Sequence, residues 1–395
     1  MKNNFKYTIY ASYAGYVVQA IINNFTPLLF LTFQKNFSFT YNQISVLILL
    51  NFLFQLIVDM LSSGVIKKFG YRACIVTAHV LAAVGLVSLA VLPFVMPNPF
   101  VGVIISILLY ATGSGLIEVI VSPLVEACPT ENKSASMSLL HSFYCWGQMS
   151  VILLSTLFFL ISSVENWRIL SVIWAVVPIC NAVNFCLVPI PSILDGENGD
   201  SLKTLSKNKL FLLCSILMFC AGASELSMSQ WASAFAESGL HVSKTAGDLL
   251  GPCLFAFLMG SSRVLYAKIS KKVSIKKAMF VSACLCVVSY LVASLSPIPI
   301  ISLIFCGICG FSVGIMWPGT FSLGAANIPT GGTLMFALFA MFGDLGCSTG
   351  PFVVGQLTSL FSDDLGKGLL FAAVFPLILA VTVLTMKEKK SDLQQ

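Results

Sequence analysis

Long apolar runs separated by short polar breaks repeat from one end of the 395-residue chain to the other. A helix rises about 1.5 Å per residue, so roughly 20 apolar residues cross the ~30 Å hydrocarbon core of a bilayer. Twelve such windows can be read, at about 7–33, 43–66, 73–95, 100–125, 136–163, 168–190, 209–235, 244–270, 277–296, 298–325, 331–360 and 366–386. The pattern predicts an all-α membrane protein. The division between the ninth and tenth windows rests on "SPIPI", 296–300, whose two prolines interrupt helical hydrogen bonding. The first window is too long for the apolar core of a signal peptide and carries no cleavage pattern, so it is expected to persist as a helix.

Composition agrees: 57% of residues are hydrophobic and 10% charged, where soluble domains carry about 25% charged residues. The net charge of +6 is unevenly placed. Lys67, Lys68, Arg72, Lys268, Lys271, Lys272, Lys276 and Lys277 fall in breaks on the side of the termini, whereas Lys35, Arg168, Lys244 and Lys367 fall on the other. Cytoplasmic loops of membrane proteins collect lysine and arginine, so both termini are expected in the cytoplasm, in the cell (inner, cytoplasmic) membrane. The positive balance therefore reads as topology and calls for no nucleic-acid partner. The 13 cysteines are scattered through apolar segments. They read as small packing residues, the Cys306/Cys309 pair included, so neither a metal nor a cofactor is expected.

The longest polar stretch, "PSILDGENGDSLKTLSKNK" at 191–209, divides six windows from six. It predicts a six-helix bundle over 1–190, a cytoplasmic linker over 191–208 and a second six-helix bundle with a short tail over 209–395. The halves echo each other in order. Asp59 stands eight residues before Lys67, and Arg263 eight before Lys271. Gly115-x-x-Glu118 is matched by Gly314-x-x-Trp317, and "WGQ" ending at Gln148 by "FGD" ending at Asp344. Parallel six-helix repeats with a binding site between them are a secondary-transporter architecture.

Polar side chains within the windows supply candidate chemistry, because a charge at mid-membrane costs at least ~2.5 kcal/mol on insertion scales and tends to be kept for ions, protons or substrate. Ser114, Glu118 and Ser122 share one stripe of helix 4 at four-residue spacing. Ser138, His141, Cys145 and Gln148 share one face of helix 5, and a contact between His141 and Glu118 is feasible across the short turn joining these helices. Helix 7 offers Glu225, Ser229 and Trp231; helix 10 offers Trp317; helix 1 offers Gln19, Asn23 and Thr26 on one face, with Asn24 beside them. Glu118, Glu225 and His141 are the proton-coupling candidates. Gln19, Asn23, Asn24, Gln148, Trp231 and Trp317 are the substrate-binding candidates. Asp59, Arg263 and Asp344 read as structural or gating charges, with Arg263 the one cation placed inside the membrane and Asp344 or Asp59 its expected partner. His79 is expected at the periphery, in a structural role.

With these residues in order, the chain resembles the major facilitator superfamily over essentially its whole length. "GVIKKFGYR", 64–72, has the length and position of that superfamily's loop between helices 2 and 3, with Lys67 where an acidic residue is usual. "GLIEVIVSPLVEACPTENKSASMSLLHSFYCWGQ", 115–148, is similar to the helix 4 to helix 5 passage of the fucose-proton symporter branch. The resemblance implies two bundles related by a pseudo-two-fold axis and a cavity lined by helices 1, 4, 7 and 10. It also implies proton coupling through the helix 4 carboxylate, here Glu118. That branch's helix 1 acid is not matched; "IINNFTP" places Asn23 and Asn24 there. The expectation is a monomeric, non-enzymatic secondary transporter moving a small polar solute, a sugar or related metabolite, with protons and the bilayer as its other partners. Drug-proton antiport is the alternative within the class, and a non-transporting receptor on the same fold the alternative outside it.

Overall fold

The computed structural model describes residues 5–129, 133–191, 200–270 and 272–386. Among them are twelve helices long and apolar enough to cross a membrane: α1 (Lys6–Phe37), α2 (Tyr41–Ser62), α3 (Tyr71–Val95), α4 (Pro99–Ala127), α5 (Leu139–Ser162), α6 (Val164–Leu187), α7 (Lys209–Gly239), α8 (Lys244–Tyr266), α9 (Ile275–Leu295), α10 (Pro299–Asn327), α11 (Leu334–Leu360) and α12 (Leu365–Thr385). Each matches one predicted window, with ends shifted by a few residues. An even number of crossings leaves Phe5 and Met386 at one end of the molecule, the terminal end. The turns at 38–40, 96–98, 240–243, 296–298 and 361–364 lie at the opposite end.

Local chemistry sets the helix ends. Thr40 caps α2 by accepting from Gln43 N at 3.2 Å, while Gln43 Oε1 accepts from Thr40 N at 2.9 Å. This reciprocal box satisfies donors that a helix start otherwise leaves open. At the terminal end Arg72 reaches across to α6, donating Nη1 to the carbonyls of Phe185 (2.6 Å) and Cys186 (2.8 Å) and Nη2 to Val188 O (2.8 Å). A cation there closes a helix whose last carbonyls have no partner within the helix.

Helices in lipid associate by close packing of small residues. The clearest case is α7 against α11. A Cβ on Gly222 would stand 2.2 Å from Gly343 O, and one on Gly346 would stand 2.0 Å from Phe219 O. The two backbones therefore touch. The same device joins α3 to α4, where a Cβ on Gly113 would lie 2.4 Å from Ala78 O.

One expectation needs correction here. His79 is fully buried instead of peripheral. Its ring lies 2.8 Å from Asn181 Nδ2 and 2.8 Å from Ile75 O, so it fastens α3 to α6 inside the first bundle. Its role is structural, as expected, but α3 presents it to the interior. Of the expected linker, 192–199 lies outside the described residues. The rest holds a one-turn helix, Leu202–Leu205, and Asp200, whose amide donates to Thr330 O at 2.9 Å.

Candidate functional site

Prolines in the central helices create the site's framework. A proline removes the amide that would pair with the carbonyl four residues earlier. In α1, Pro27 frees the carbonyl of Asn23, which accepts from Gln230 Nε2 of α7 at 3.0 Å. In α10, Pro318 frees the carbonyl of Gly314 at a break between Val313 and Met316, and this carbonyl accepts from Arg263 Nε of α8 at 2.9 Å. Both freed groups are thus met by a side chain from another helix.

Gln230 to Asn23 is one of several bonds joining the two halves. Gln148 Nε2 of α5 donates to Ser229 Oγ of α7 at 3.2 Å. Further toward the end opposite the termini, Tyr41 Oη donates to Ser238 Oγ at 3.1 Å, and Gln356 Nε2 reaches Ser45 Oγ at 3.0 Å and Asn42 Oδ1 at 2.5 Å. Trp231, fully buried, fills the seam between Phe30 and Tyr41 and donates Nε1 to Pro351 O at 2.9 Å. The halves are sealed at this end. Trp231 is therefore part of the seal in this conformation and is not presented to a solute.

Toward the terminal end the same central helices carry ionisable groups that are enclosed by protein yet keep accessible surface: Glu118, Glu225, Asp59, Asp344 and Arg263 are half-buried and His141 is exposed. Side chains surrounded by protein but still open to water line a cavity. Glu118 accepts from Gln19 Nε2 of α1 at 2.6 Å, short enough for a charge-assisted bond. Beside it Tyr16 Oη shares a hydrogen bond with Ser122 Oγ at 3.0 Å, and its ring lies 5.4 Å from that of His141. Tyr16 thus touches the imidazole by its ring and the α4 stripe by its hydroxyl, and among the described residues no hydrogen bond or ion pair makes the feasible contact of His141 with Glu118. Ser138 belongs to the same face of α5, but its side chain lies outside the described residues.

A polar stripe on α2 supports α1 and α4. Asn23 Oδ1 accepts from Asn51 Nδ2 (3.2 Å) and Gln55 Nε2 (3.0 Å), and Gln55 Oε1 accepts from Ser114 Oγ (3.0 Å). One turn on, Asp59 rests against Gly115, where a Cβ would meet Asp59 Oδ1 at 2.8 Å. Asn51, Gln55 and Asp59 recur every four residues. That spacing was readable, yet of the three only Asp59 had been singled out. Asn24 donates to Ala20 O at 2.9 Å, within its own helix.

The charges divide into two groups. Asp59, Glu118 and Asp344, from α2, α4 and α11, act electrostatically on one another. Arg263 acts on Glu225 and His141. It forms no ion pair with Asp344 or Asp59 among the described residues, so the expected pairing gives way to a bond with Gly314 O and the field of Glu225. Trp317 packs its ring over Gly343, next to Asp344, and is partly buried. Nor is Arg263 the one cation held by protein among the described residues. Lys244, expected in an outer turn, is largely buried beside the fully buried Asp248, a residue the sequence reading did not single out.

Helix-lined, opened at one end and sealed at the other, this arrangement suits passage of a solute between two bundles. The Major Facilitator Superfamily model matches residues 12–351. The chain belongs to this superfamily. Membership makes it a secondary transporter rather than an enzyme. Among solved structures, similarity extends over nearly the whole chain. A D-xylose-proton symporter superimposes with a TM-score of 0.78 at 13% identity, covering 94% of this chain and 97% of that one. The E. coli fucose:proton symporter FucP gives 0.67 at 15%, covering 98% and 100%. The nucleoside transporter NupG gives 0.75 at 14%, covering 96% and 99%. Such identities show the shared fold. A comparison with curated proteins returned no match.

Proposed function

We propose that this superfamily member moves a small polar solute, a sugar or a related hydroxyl-bearing metabolite, by alternating access, with Glu118 as the proton carrier. The observation that carries the reading is Glu118 itself: a carboxylate in mid-helix, enclosed by protein, open to the cavity and held by Gln19 at 2.6 Å. A group that meets water from one end, between halves sealed toward the other, is placed to take up or release a proton before the halves rock. Amides from both halves, Gln19, Asn23, Gln148 and Gln230, gather where the cavity meets the seal and offer donors and acceptors to hydroxyls. Phenylalanines, which would favour a greasy drug, gather elsewhere. Phe33, Phe37, Phe39, Phe94 and Phe100 stack on one another at the sealed end of the first bundle. Two of the similar structures are sugar-proton symporters, which agrees with this reading. With the lysine-rich terminal end in the cytoplasm, the cavity opens to the cytoplasm.

A thermal-shift screen of sugars, nucleosides and amino acids identifies the solute, since a ligand of the native state raises its melting temperature. Glu118→Gln then tests the coupling in proteoliposomes. A glutamine still accepts from Gln19 but cannot ionise, so proton-driven accumulation should fall at least about tenfold while solute exchange without a gradient persists. Undiminished uphill transport removes Glu118 from the mechanism.

A further inference from the structure

Away from the cavity, at the sealed end, lies an ion pair for which the coupling scheme has no use. Lys244 Nζ stands 3.2 Å from Asp248 Oδ2, one turn apart at the start of α8. Asp248 is fully buried, and the Lys244 side chain keeps 19% of its surface. Both charges belong to the second half, but each is completed by the first. Lys244 Nζ donates to Leu28 O of α1 at 2.7 Å, and Asp248 accepts from Thr156 Oγ1 of α5 at 3.4 Å. Within its own half Asp248 also accepts from Ser233 Oγ of α7. Glu237, near the end of α7, feels both charges.

Prolines again bend the backbone beside these partners. Leu28 sits in the 3-10 turn Thr26–Leu29 that Pro27 opens in α1. Asp248 directly precedes the wide π turn Leu249–Cys253, where Pro252 lacks the amide that would have bonded Asp248 O. A second wide turn, Phe235–Gly239, ends α7 alongside. Lys244 therefore grips a carbonyl in irregular backbone of the first half, while Asp248, at the head of another irregular turn, is held by side-chain hydroxyls from both halves.

We propose that Lys244 and Asp248 form the latch that keeps this end closed and that lets go when the molecule opens there. Separating the halves breaks the bonds to Leu28 and Thr156 but leaves lysine, aspartate and Ser233 together. No unpaired charge is stranded at either stage. The latch is thus firm enough to hold the closed state and is not so costly that opening is prevented. The proposal rests on the alternating-access reading but not on the identity of the solute or of the coupling ion.

The reporter is Ser45→Cys. Ser45 is fully buried in the seam, bonded to Gln356, and becomes reachable only when this end opens. In the full-length protein, reaction of that cysteine with a bulky water-soluble maleimide is followed by mass spectrometry of its own peptide. Native buried Cys214 serves as the internal control for unfolding. Losing a hydrogen bond to a charged group should shift the open fraction, so Lys244→Gln and Asp248→Asn are expected to speed labelling of residue 45 by about tenfold. Cys214 should stay unreactive. Thr156→Val leaves Asp248 paired to Lys244 and Ser233, and should accelerate labelling less, by about threefold. Lys367→Gln, which breaks the exposed pair with Asp364, should change nothing. Labelling within twofold of the parent in folded Lys244→Gln and Thr156→Val overturns the latch. So does a parallel rise at Cys214, which would mean local unfolding. Because no solute or proton gradient is involved, failure here leaves the coupling test on Glu118 standing, and the reverse holds too.

Discussion

Gly346→Ala adds a single methyl at the closest backbone contact between α7 and α11. Its carbon would stand 2.0 Å from Phe219 O and 2.9 Å from Ala223 N. Ordinary contact begins near 3.4 Å, and the opposing atoms are main chain that no rotamer change can move, so the helices must part by more than ~1 Å. Overpacking of this kind costs about 1–3 kcal/mol, and alanine's better helix propensity returns up to ~1 kcal/mol. A net loss of about 1–2 kcal/mol is expected, a few degrees in melting temperature. Gly64→Ala, at a helical position with nothing within 4 Å, is the matched control and should gain about 0.5–1 kcal/mol. The functional effect should exceed the loss of stability. Asp344 precedes Gly346 by two residues and Glu225 follows Gly222 by three, so separating the helices moves one cavity carboxylate relative to the other. Differential scanning fluorimetry in detergent, paired with proteoliposome flux, measures both. If Gly346→Ala melts at or above the parent temperature, as Gly64→Ala should, the contact does not set the helix spacing and the reasoning fails.

Trp231→Ala should lose about 3–5 kcal/mol, as large-to-small changes in packed cores do, whereas Trp231→Phe keeps the stack on Phe30 and Tyr41 and should lose only about 1–3 kcal/mol for the unpaired Pro351 carbonyl; equal losses in thermal unfolding would contradict the seam packing. Arg72→Lys, with one ammonium in place of a planar fork, should satisfy fewer of the three carbonyls at the end of α6 and speed amide hydrogen exchange over 185–188, while exchange in α9 stays constant. Lys35→Ala, which breaks an exposed pair with Glu165 at 2.6 Å, should leave the melting temperature unmoved.

The twelve helices were legible because lipid imposes one rule, an apolar run of fixed length, and this chain obeys it almost without interruption. The internal echo of Asp59 in Arg263 and of Glu118 in Trp317 also pointed to two halves. The polar stripe of α4 was legible by its four-residue spacing, and its members find polar partners on other helices: Ser114 bonds Gln55, Glu118 bonds Gln19 and Ser122 bonds Tyr16. Pairing across helices was not legible. His141 and Glu118 share a membrane depth, but no hydrogen bond or ion pair joins them among the described residues. Arg263 has acids within reach of its long stem, yet it turns to Gly314 O, a group that no list of charged side chains would include. The signal was Pro318, four residues later. Asp248 was missed for a related reason: "KTAGDLLGP" looks like a polar turn running into a helix, and only the fold shows Thr156 and Leu28 closing over it.

The two ends of the cavity solve the problem of buried charge in opposite ways. At the sealed end Lys244 and Asp248 neutralise each other within one turn of helix, and the other half contributes only neutral groups, a hydroxyl and a carbonyl. Bringing the halves together there needs no change in charge. At the open end Asp59 and Glu118 from one half approach Asp344 from the other, and like charges brought together out of water repel. Closing that end with all three ionised is therefore opposed, unless a proton or the solute's own donors arrive first. Closing each end thus depends on a different event: at one, reforming two hydrogen bonds between charged and neutral groups; at the other, under the proposed coupling, neutralising a carboxylate. Under the proposed coupling, the resistance to closing over an unloaded cavity comes from the placement of three acids on helices from both halves, with Arg263 held away from them by a carbonyl that Pro318 left free.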